Sequence, residues 1–371
     1  MLESVAQLRA IAPAWDDLWR RSRVTRPTLR AEHLAQWVEQ FSADGVFRAV
    51  VVEGADEVGA SGPTGYLAAL PLVGRRMMPM VTAGVLPAND WAVSGDLLLD
   101  ETADVRAVMD QLIRGLHGLP WRMIKLDDVE PAAARWQLLL AAAARASAAL
   151  AYRPWLEVGR IDTSIGWQSY RRTWSRRHRS QMGRHWRRLA QEGCVEVQRL
   201  ESLTADEAAR HLELALAIED LGWKGEQGSS ILQTAGMPEF FRRQARQLAA
   251  DGQLSLAFLT VAGERIAFAY GMTGKGVYRS LKVGYDPRWA QFSPGQLLRL
   301  GLLEQLFADP DCQMVESISP TPAHGHWRPQ RYEIGRLLIA PAGLVAPWLV
   351  RADRVMRGSR GQSGRQPIPS N

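Results

Sequence analysis

The sequence predicts an α/β protein of two domains, and three observations lead to that prediction. The chain has 371 residues, of which 46% are hydrophobic and 23% charged, an ordinary globular composition with enough length for two cores. Segments with the apolar spacing of helices alternate with short runs typical of strands. The same grammar occurs in both halves, so the halves could be two copies of one mixed fold.

In the first half, helices are predicted where apolar residues recur every three or four positions, and strands where short apolar runs lie between turn residues. Pro131 stands where a proline is well tolerated, at a helix start. The predicted helices span residues 15–21, 32–41, 105–116 and 131–150, and the predicted strands span 47–53, 66–73, 121–126 and 155–161.

In the second half, glycines mark several predicted ends. Gly193 follows a long helix, Gly222 closes another, and Gly263 lies in the turn of a predicted hairpin. The predicted helices span 167–192, 205–221, 238–250 and 294–307, and the predicted strands span 194–199, 254–261, 265–272, 276–285 and 314–319.

Several protein classes are excluded by composition. The two cysteines, Cys194 and Cys312, are far apart and lack metal-type clusters, which argues against a zinc site or a disulfide framework. No signal peptide is visible, and the longest uncharged apolar run, 337–350, is shorter than the ~20 residues of a membrane-spanning helix. We therefore expect a cytoplasmic protein.

One loop-to-helix junction has the features of an anion site. Ser293 stands at a predicted N-cap, followed by Pro294 at the first helical position and then Gly295. Free N–H groups and the positive end of the helix dipole would face the end of the preceding strand, as in pyrophosphate sites. The alternative is a capped helix that binds nothing.

Four separate segments, in matching order and spacing, resemble a known family. They are 219–225, 252–268, 282–287 and 293–298. They resemble the C-terminal acyltransferase domain of the GNAT superfamily and, more narrowly, the cellulose-biosynthesis acetyltransferase (CelD/BcsL-like) group, which is related to the FemAB peptidyltransferases. The resemblance covers about residues 165–340, and in the first half it is architectural only.

The resemblance implies a tandem GNAT-like fold. Residues 1–165 would form a degenerate N-terminal copy, residues 166–345 the acyltransferase domain, and residues 346–371 a C-terminal helix and a disordered tail. The second domain would bind acetyl-CoA or another acyl-CoA, without a metal. Strand 276–285 would lie along the pantetheine, and the cofactor-binding residues would be Tyr285, Ser293, Pro294, Gly295, Gln296 and Leu297.

The family's reaction is direct attack of an acceptor amine or hydroxyl on a thioester, which requires a base and donors for the developing charges. Glu219 is the first candidate for the base, although it could instead be a solvated helix carboxylate. Lys224 and Lys282 stand out because the chain has only four lysines among its 45 Lys and Arg residues. In the segment before Trp327, the lysine that is usual in the family is missing and His324 and His326 are present instead. His326 could serve as an acid or base because the pKa of a histidine lies near neutrality, or it could be a surface or packing residue. The predicted substrate-binding residues are Trp223, Asp286 and Trp327.

The predicted helix 167–192 carries eight arginines. Such a surface could face nucleic acid, membrane phosphates, a nucleotide sugar or an acyl carrier. Because the resembling family also opens this domain with an Arg-rich helix, a phosphorylated cofactor or substrate is the leading interpretation. Nucleic-acid binding is not expected without a recognisable RNA module, peripheral membrane contact stays open, and the sequence does not fix the oligomeric state.

Three functions follow from this sequence. The first is an acyl-CoA-dependent N- or O-acyltransferase, specifically an acetyltransferase, that acts on a sugar, a peptide or a surface-polysaccharide precursor. The second is an aminoacyl-tRNA-dependent FemAB-like peptidyltransferase. The third is a non-catalytic GNAT-fold component of a polysaccharide assembly.

Overall fold

The computed structural model describes residues 1–54, 65–79, 81–317 and 322–340. The chain divides into two compact units. Unit 1 comprises Met1–Val24, Thr28–Glu157 and the described residues from Tyr332, whereas unit 2 comprises Thr25–Pro27 and Val158–Arg331. The division differs from the predicted ranges 1–165 and 166–345, and the predicted tail segment 346–371 lies outside the described residues.

Helices and strands alternate along the described chain, with the following bounds. The helices are α1 (Val5–Ala10), α2 (Ala12–Arg21), α3 (Ala31–Phe41), α4 (Val105–His117), α5 (Ala134–Arg145), α6 (Trp167–Thr173), α7 (Arg176–Leu189), α8 (Ala205–Asp220), α9 (Trp223–Glu226), α10 (Met237–Ala250) and α11 (Pro294–Ala308). The strands are β1 (Phe47–Glu53), β2 (Tyr66–Met78), β3 (Val81–Val85), β4 (Leu98–Leu99), β5 (Ile124–Val129), β6 (Ala149–Asp162), β7 (Val195–Leu200), β8 (Leu254–Val261), β9 (Glu264–Gly274), β10 (Val277–Tyr285), β11 (Met314–Ser317) and β12 (Gln330–Ala340).

The sheet of unit 1 is mixed. Strands β1, β2 and β3 pair as an antiparallel meander, and β5 then pairs parallel to β3. Strand β12 pairs antiparallel to β5, which explains why the chain returns to unit 1 at Tyr332. Helices α4 and α5 cover the sheet with buried side chains that include Leu112, Trp136 and Leu139.

The sheet of unit 2 has the same plan. Strands β7 to β10 form an antiparallel meander, and β11 pairs parallel to β10 and antiparallel to the end of β6. Side chains alternate between its two faces, as expected for strands. Leu259 lies in the core with α7 and α11, whereas Tyr270 contacts Phe241 and hydrogen-bonds to Gln244 of α10.

The two units therefore repeat one arrangement. In each, a meander leads into a helix, α4 or α11, and the following strand pairs parallel to the last strand of the meander. The predicted fold class, an α/β protein with mixed sheets built from two copies of one fold, is confirmed.

The predicted single helix over 167–192 is wrong in one respect. Helix α6 ends at Thr173, Trp174 is extended (φ −70°, ψ 151°), and α7 begins again at Arg176 with Ser175 as its N-cap. The Ser175 hydroxyl accepts a hydrogen bond from the N–H of His178 at 3.1 Å. A hydroxyl placed to cap competes with helix continuation, so the Arg-rich segment has two helix starts instead of one.

Candidate active site

The candidate site lies at the carboxyl end of β10. This strand pairs with β9 over its whole length, from Val277 to Tyr285. Within the described residues, its other edge pairs with β11 only over Val277–Arg279. Arg279 forms a buried ion pair with Glu316 at 2.5 Å where this pairing ends. Beyond Arg279, the described residues show no further pairing of these two parallel strands.

Two glycine positions approach Tyr285, the last residue of β10. A Cβ placed on Gly222 would lie 3.9 Å from the carbonyl oxygen of Tyr285, and one placed on Gly295 would lie 3.7 Å from its ring. The segment after α8 and the start of α11 therefore both reach the end of the same strand. These are three of the four segments on which the sequence resemblance depends.

The start of α11 differs in detail from the prediction. Ser293 is the N-cap by position, but it has a left-handed backbone (φ 56°, ψ 54°), and its side chain makes no capping hydrogen bond. The N–H groups of Gln296 and Leu297 both donate to the carbonyl of Ser293, at 3.0 and 3.2 Å. Pro294 and Leu297 are buried, so these two residues would help to hold a cofactor through backbone position and the helix dipole only.

Trp327, predicted to bind substrate, is instead a core residue. It is 0% exposed, and its Nε1 donates to the side-chain oxygen of Gln296 at 3.0 Å. Its ring packs edge to face against Trp174 and His178, and the guanidinium of Arg299 lies 5.4 Å from the ring centre. This placement does not fit direct contact with an acceptor. The hydrogen bond from Trp327 also uses the side-chain oxygen of Gln296, a predicted cofactor-binding residue.

Glu219 is not the solvated carboxylate of the alternative interpretation. Its side chain is 3% exposed and lies 2.5 Å from the Nζ of Lys224. Its second oxygen accepts the N–H of Ile231 at 3.0 Å. The ammonium of Lys224 is more accessible, with its side chain 27% exposed. Two predicted catalytic residues therefore form one ion pair, in which the carboxylate is inside and the ammonium faces outward.

The turn that carries Lys224 depends on a glycine. A Cβ on Gly225 would lie 1.7 Å from the carbonyl oxygen of Asp220, closer than real atoms approach. Any side chain at this position would force the turn open and displace Lys224. Trp223, the first residue of α9, is 39% exposed, an accessibility that fits its predicted contact with substrate.

The structure places the remaining predicted residues elsewhere. Asp286 is buried and accepts hydrogen bonds from the backbone N–H and the Nε of Arg288, at 2.9 and 2.8 Å. Although burial alone would raise the pKa of Asp286, its hydrogen bonds to Arg288 outweigh that effect and lower it. Asp286 therefore stabilises the turn after β10 instead of facing a substrate. Lys282 lies over the ring of Phe241, 5.3 Å from its centre.

His326 belongs to another neighbourhood. Its ring stacks on His178, with centres 5.8 Å apart and planes 20° apart. The two histidines line a pocket of about 360 Å³ together with Ser175, Arg177 and Gln181 of the α7 start. The predicted catalytic residues therefore lie in three places: the Glu219–Lys224 pair, Lys282 over Phe241, and His326 in this pocket.

Two residues of this second neighbourhood were missed by sequence reasoning. His178 lies within the segment predicted as one long helix and has no predicted role, and Arg299 has none either. The one local signal was Ser175, a good N-cap residue in the middle of the predicted helix. No sequence pattern indicated that Arg299 would stack on Trp327.

The described part of the chain contains neither a cluster of metal-binding side chains nor a helix suited to cross a membrane. Within residues 1–54, 65–79, 81–317 and 322–340, no group of three or more His, Cys, Asp or Glu side chains is placed to hold a metal ion. Over the same ranges, no helix has the length and apolar character needed to cross a membrane.

Sequence comparison identifies one region. Residues 176–318 match the family model described as the acetyltransferase (GNAT) domain. No curated protein matches the sequence of the chain.

Structural comparison extends over nearly the whole chain. FemX has a TM-score of 0.57 at 11% identity, over 90% of this chain and 96% of its own. A conserved protein of unknown function from Bacteroides thetaiotaomicron has a TM-score of 0.53 at 13% identity, over 91% and 97%. The C-terminal domain (DUF2156) of a protein provisionally described as a lysylphosphatidylglycerol synthetase from Agrobacterium fabrum has a TM-score of 0.52 at 14% identity, over 97% and 100%. At such identities the likeness concerns the fold. Residues 176–318 of this chain are therefore similar to the acetyltransferase (GNAT) domain.

Proposed function

We propose that this protein is an acyl-CoA-dependent acyltransferase that uses unit 2 to bind its cofactor and transfers the acyl group directly to an amine or hydroxyl. The observation that carries the proposal is the difference between the two equivalent helix starts. At α4 of unit 1, the carboxylate of Asp104 accepts hydrogen bonds from the N–H groups of Arg106 and Ala107. At α11 of unit 2, the side chain of the N-cap residue Ser293 makes no capping hydrogen bond.

The difference between the two helix starts favours unit 2 as the place where a pyrophosphate binds. An anion is stabilised at a helix start by free N–H groups and the helix dipole. The carboxylate of Asp104 already fills that place in α4 and would repel a second anion. The start of α11 carries no acidic residue in its first turn, and Gly295 leaves the approach to its backbone open. We therefore assign the cofactor to unit 2 and regard unit 1 as the degenerate copy.

The unpaired edge of β10 supports the same assignment. Beyond Arg279, this edge is not hydrogen-bonded to β11 within the described residues, and the strand ends at Tyr285 beside the start of α11. A pantetheine arm carries amide groups that can pair with such an edge, as one more strand would. The arm would then lead from the pyrophosphate at α11 along β10.

In the proposed reaction, the residues of the chain transfer protons and stabilise developing charge. Bound acyl-CoA supplies a thioester carbonyl that is activated toward nucleophiles. The carboxylate of Glu219 is the candidate base for the proton of the acceptor's amine or hydroxyl, because the ammonium of Lys224 is already protonated and can only donate. The exposed ammonium of Lys224 faces outward, and Glu219 fixes its position from inside at 2.5 Å. The exposed ring of Trp223 next to this pair is the candidate contact for the acceptor.

For the acceptor, we propose a sugar, a peptide or a surface-polysaccharide precursor, with an acetyl group as the donor. This finer assignment follows from the resemblance to cellulose-biosynthesis acetyltransferases. Lys282 beside Phe241 and His326 in the second neighbourhood stay secondary candidates for proton transfer.

A thermal-shift experiment with acetyl-CoA tests the cofactor assignment. Acetyl-CoA should raise the melting temperature of the native protein, and Gly295→Glu should abolish that shift because it places a carboxylate where the pyrophosphate would lie. Gly295→Ala is the matched control, since its Cβ would make only ordinary contact with Tyr285 at 3.7 Å. The absence of a shift with any acyl-CoA, or an unchanged shift in Gly295→Glu, contradicts the proposal.

Catalysis is tested separately at the ion pair. If the protein transfers acyl groups, Glu219→Gln should lower kcat, while the variant still shows the acetyl-CoA shift. A fully active Glu219→Gln variant would remove the pair from the mechanism. A protein that binds acyl-CoA but transfers nothing to any tested amine or hydroxyl would favour the non-catalytic alternative.

The aminoacyl-tRNA-dependent alternative is favoured by one observation. In the described part of the chain, none of the eight arginines of α6 and α7 pairs with a carboxylate. Titration with tRNA at several salt concentrations tests it, because contacts with n phosphates make log K fall with log[salt]. The alternative requires a steep slope that Arg184→Glu combined with Arg188→Glu reduces, and an indifferent titration excludes it.

A further inference from the structure

A pocket of about 360 Å³ lies where α6 ends and α7 begins. Its walls come from the first turns of α7 and from one residue near β12, and they are Ser175, Arg177, His178, Gln181 and His326. A volume of this size is much larger than the ~30 Å³ share of one water molecule. The pocket can therefore hold a small polar group together with part of the molecule that carries it.

The floor of the pocket contains a buried group without a partner. His178 is 5% exposed, and its Nε2 has no hydrogen-bond acceptor or donor in the described part of the chain. Its ring is fixed edge to face on Trp174 and on Trp327, at centre distances of 5.2 and 4.9 Å. A buried polar atom without a partner is unfavourable, so a ligand that hydrogen-bonds to this nitrogen is favoured.

The charge around the pocket has one sign. No acidic residue occurs between Asp162 and Glu192, and Arg177 has no ion pair within the described residues. The pocket also lies at the N-terminal end of α7, a helix of 14 residues, where the dipole favours an anion. A guanidinium, a helix start and an imidazole that can donate from Nε2 together suit the oxygens of an oxyanion.

We propose that this pocket is a phosphate-binding site that receives a phosphoryl group of one of the protein's two substrates. The inference rests on the proposed acyl transfer only for the identity of that substrate. The phosphoryl group belongs either to a phosphorylated acceptor, such as a nucleotide sugar, or to the cofactor. In both cases Arg177 and His178 bind the oxygens, and the α7 start supplies the dipole.

The protonation of His178 supports this assignment. Burial, and to a lesser degree the neighbouring His326, lower the pKa of His178. Among the described residues, the charged or titratable groups around this ring are Arg177 on α7, His326 near β12, and Arg299 on α11, which lies 5.4 Å from the ring of Trp327. Since no carboxylate is among them, the empty pocket favours the neutral ring. A bound phosphate would favour the protonated ring, so binding and proton uptake should be coupled.

The test is a titration of the native protein, labelled with ¹³C at its histidine rings, with inorganic phosphate and without acyl-CoA. Ionic strength is kept constant with chloride. We expect a saturable shift of the His178 resonance and a rise in the pKa of His178. Removing a charge-assisted hydrogen bond to an anion costs on the order of tenfold or more in affinity, so Arg177→Gln should raise the apparent Kd at least that much.

Two further variants complete the experiment. Arg176→Gln is the matched control, since it removes the same charge from an exposed neighbouring position outside the pocket, and it should bind phosphate almost as the native protein does. His326 lines the same pocket and stacks on His178, so its resonance should also shift with phosphate in the native protein. His178→Phe keeps an aromatic ring but removes both nitrogens, so the His326 shift should be lost in that variant. The proposal is overturned if no saturable shift occurs, or if Arg177→Gln and Arg176→Gln bind equally. Arg177 is exposed, so that variant decides the question even if His178→Phe does not fold.

The source of the phosphoryl group is decided by repeating the titration with saturating acetyl-CoA. Displacement of phosphate by acetyl-CoA but not by acetyl-pantetheine assigns the site to the cofactor. Phosphate binding that persists beside acetyl-CoA assigns it to the acceptor. If acetyl-CoA does not bind at all, the proposed function fails, whereas the phosphate titration still decides whether the pocket is a phosphate site.

Discussion

Replacing Trp327 tests whether this residue stabilises the core or contacts the substrate. In the Trp327→Phe variant, the hydrogen bond to Gln296 is lost, which costs about 1 kcal/mol. The smaller ring leaves a void of roughly 30 Å³, which adds about 0.7 kcal/mol at ~24 cal/mol per Å³. The free energy of unfolding should therefore fall by about 2 kcal/mol, and Trp327→Ala should lower it by about 3–5 kcal/mol.

Urea unfolding followed by circular dichroism measures this change. In thermal unfolding, 2 kcal/mol corresponds to a lower Tm by roughly 4–8 °C for a unit of this size. Trp223→Phe is the matched control, because Trp223 is 39% exposed and its replacement should change the free energy by less than about 0.5 kcal/mol. If Trp327→Phe is as stable as the native protein and instead weakens binding of an acceptor, the assignment of Trp327 to the core is wrong.

Three other predictions concern the backbone, the buried charges and pH. Gly225→Ala should destabilise the protein and reduce acyl transfer, because its Cβ would lie 1.7 Å from a carbonyl oxygen, whereas Gly183→Ala in an open helical position should raise stability by roughly 0.5–1 kcal/mol; equal Tm values for the two variants would refute this. Arg279→Met removes the guanidinium that pairs with the largely buried Glu316 and should cost about 3–5 kcal/mol. Arg246→Met, at an exposed ion pair, should cost less than about 0.5 kcal/mol by urea unfolding. Similar losses in the two variants would contradict the expected difference. Burial lowers the pKa of His178 from its ordinary 6.5, so below pH 6.5 the unfolded chain binds a proton at this residue more strongly than the folded chain does. The contribution of neutral His178 to the free energy of unfolding is therefore complete above pH 6.5 and decreases as pH falls. Between pH 7.5 and 5, the free energy of unfolding should fall less in His178→Phe than in the native protein, and an equal fall would contradict this prediction.

Local patterns were sufficient for much of the fold of unit 2. The β8–β9 hairpin lies where the turn glycine predicted it, and the proline at the start of α11 marks the first residue of that helix. Both features depend on backbone preferences of a few adjacent residues. In unit 1, the Ala-rich helix predicted for residues 131–150 ends at Arg145, and Ala149 already belongs to β6. There, pairing in the sheet overrides the helix propensity of alanine.

Features that depend on distant partners were not predictable from the sequence. Strand β12 pairs with β5, whose residues lie far earlier in the chain, and no local pattern carries that information. The candidate site shows the same limit. The sequence singled out Glu219 and Lys224 separately, but their ion pair and the N–H of Ile231 depend on how the chain turns after α8. The substrate role predicted for Trp327 was wrong about exposure, because an aromatic residue in a loop motif can equally well fill a core.

Because the starts of α4 and α11 differ, the stability of the two units should depend differently on the concentration of an anionic ligand. Helix α4 is capped by Asp104, a residue of the same chain, so its N-terminal cap does not require a ligand. At α11 the side chain of Ser293 makes no capping hydrogen bond, and binding of the proposed anionic ligand would stabilise unit 2 by RT ln(1 + [L]/Kd), about 2.7 kcal/mol at a hundredfold excess over Kd. A shortage of that ligand would therefore leave unit 2 more open to unfolding and proteolysis. The supply of this ligand would then affect the lifetime of the protein in the cell as well as its catalytic rate.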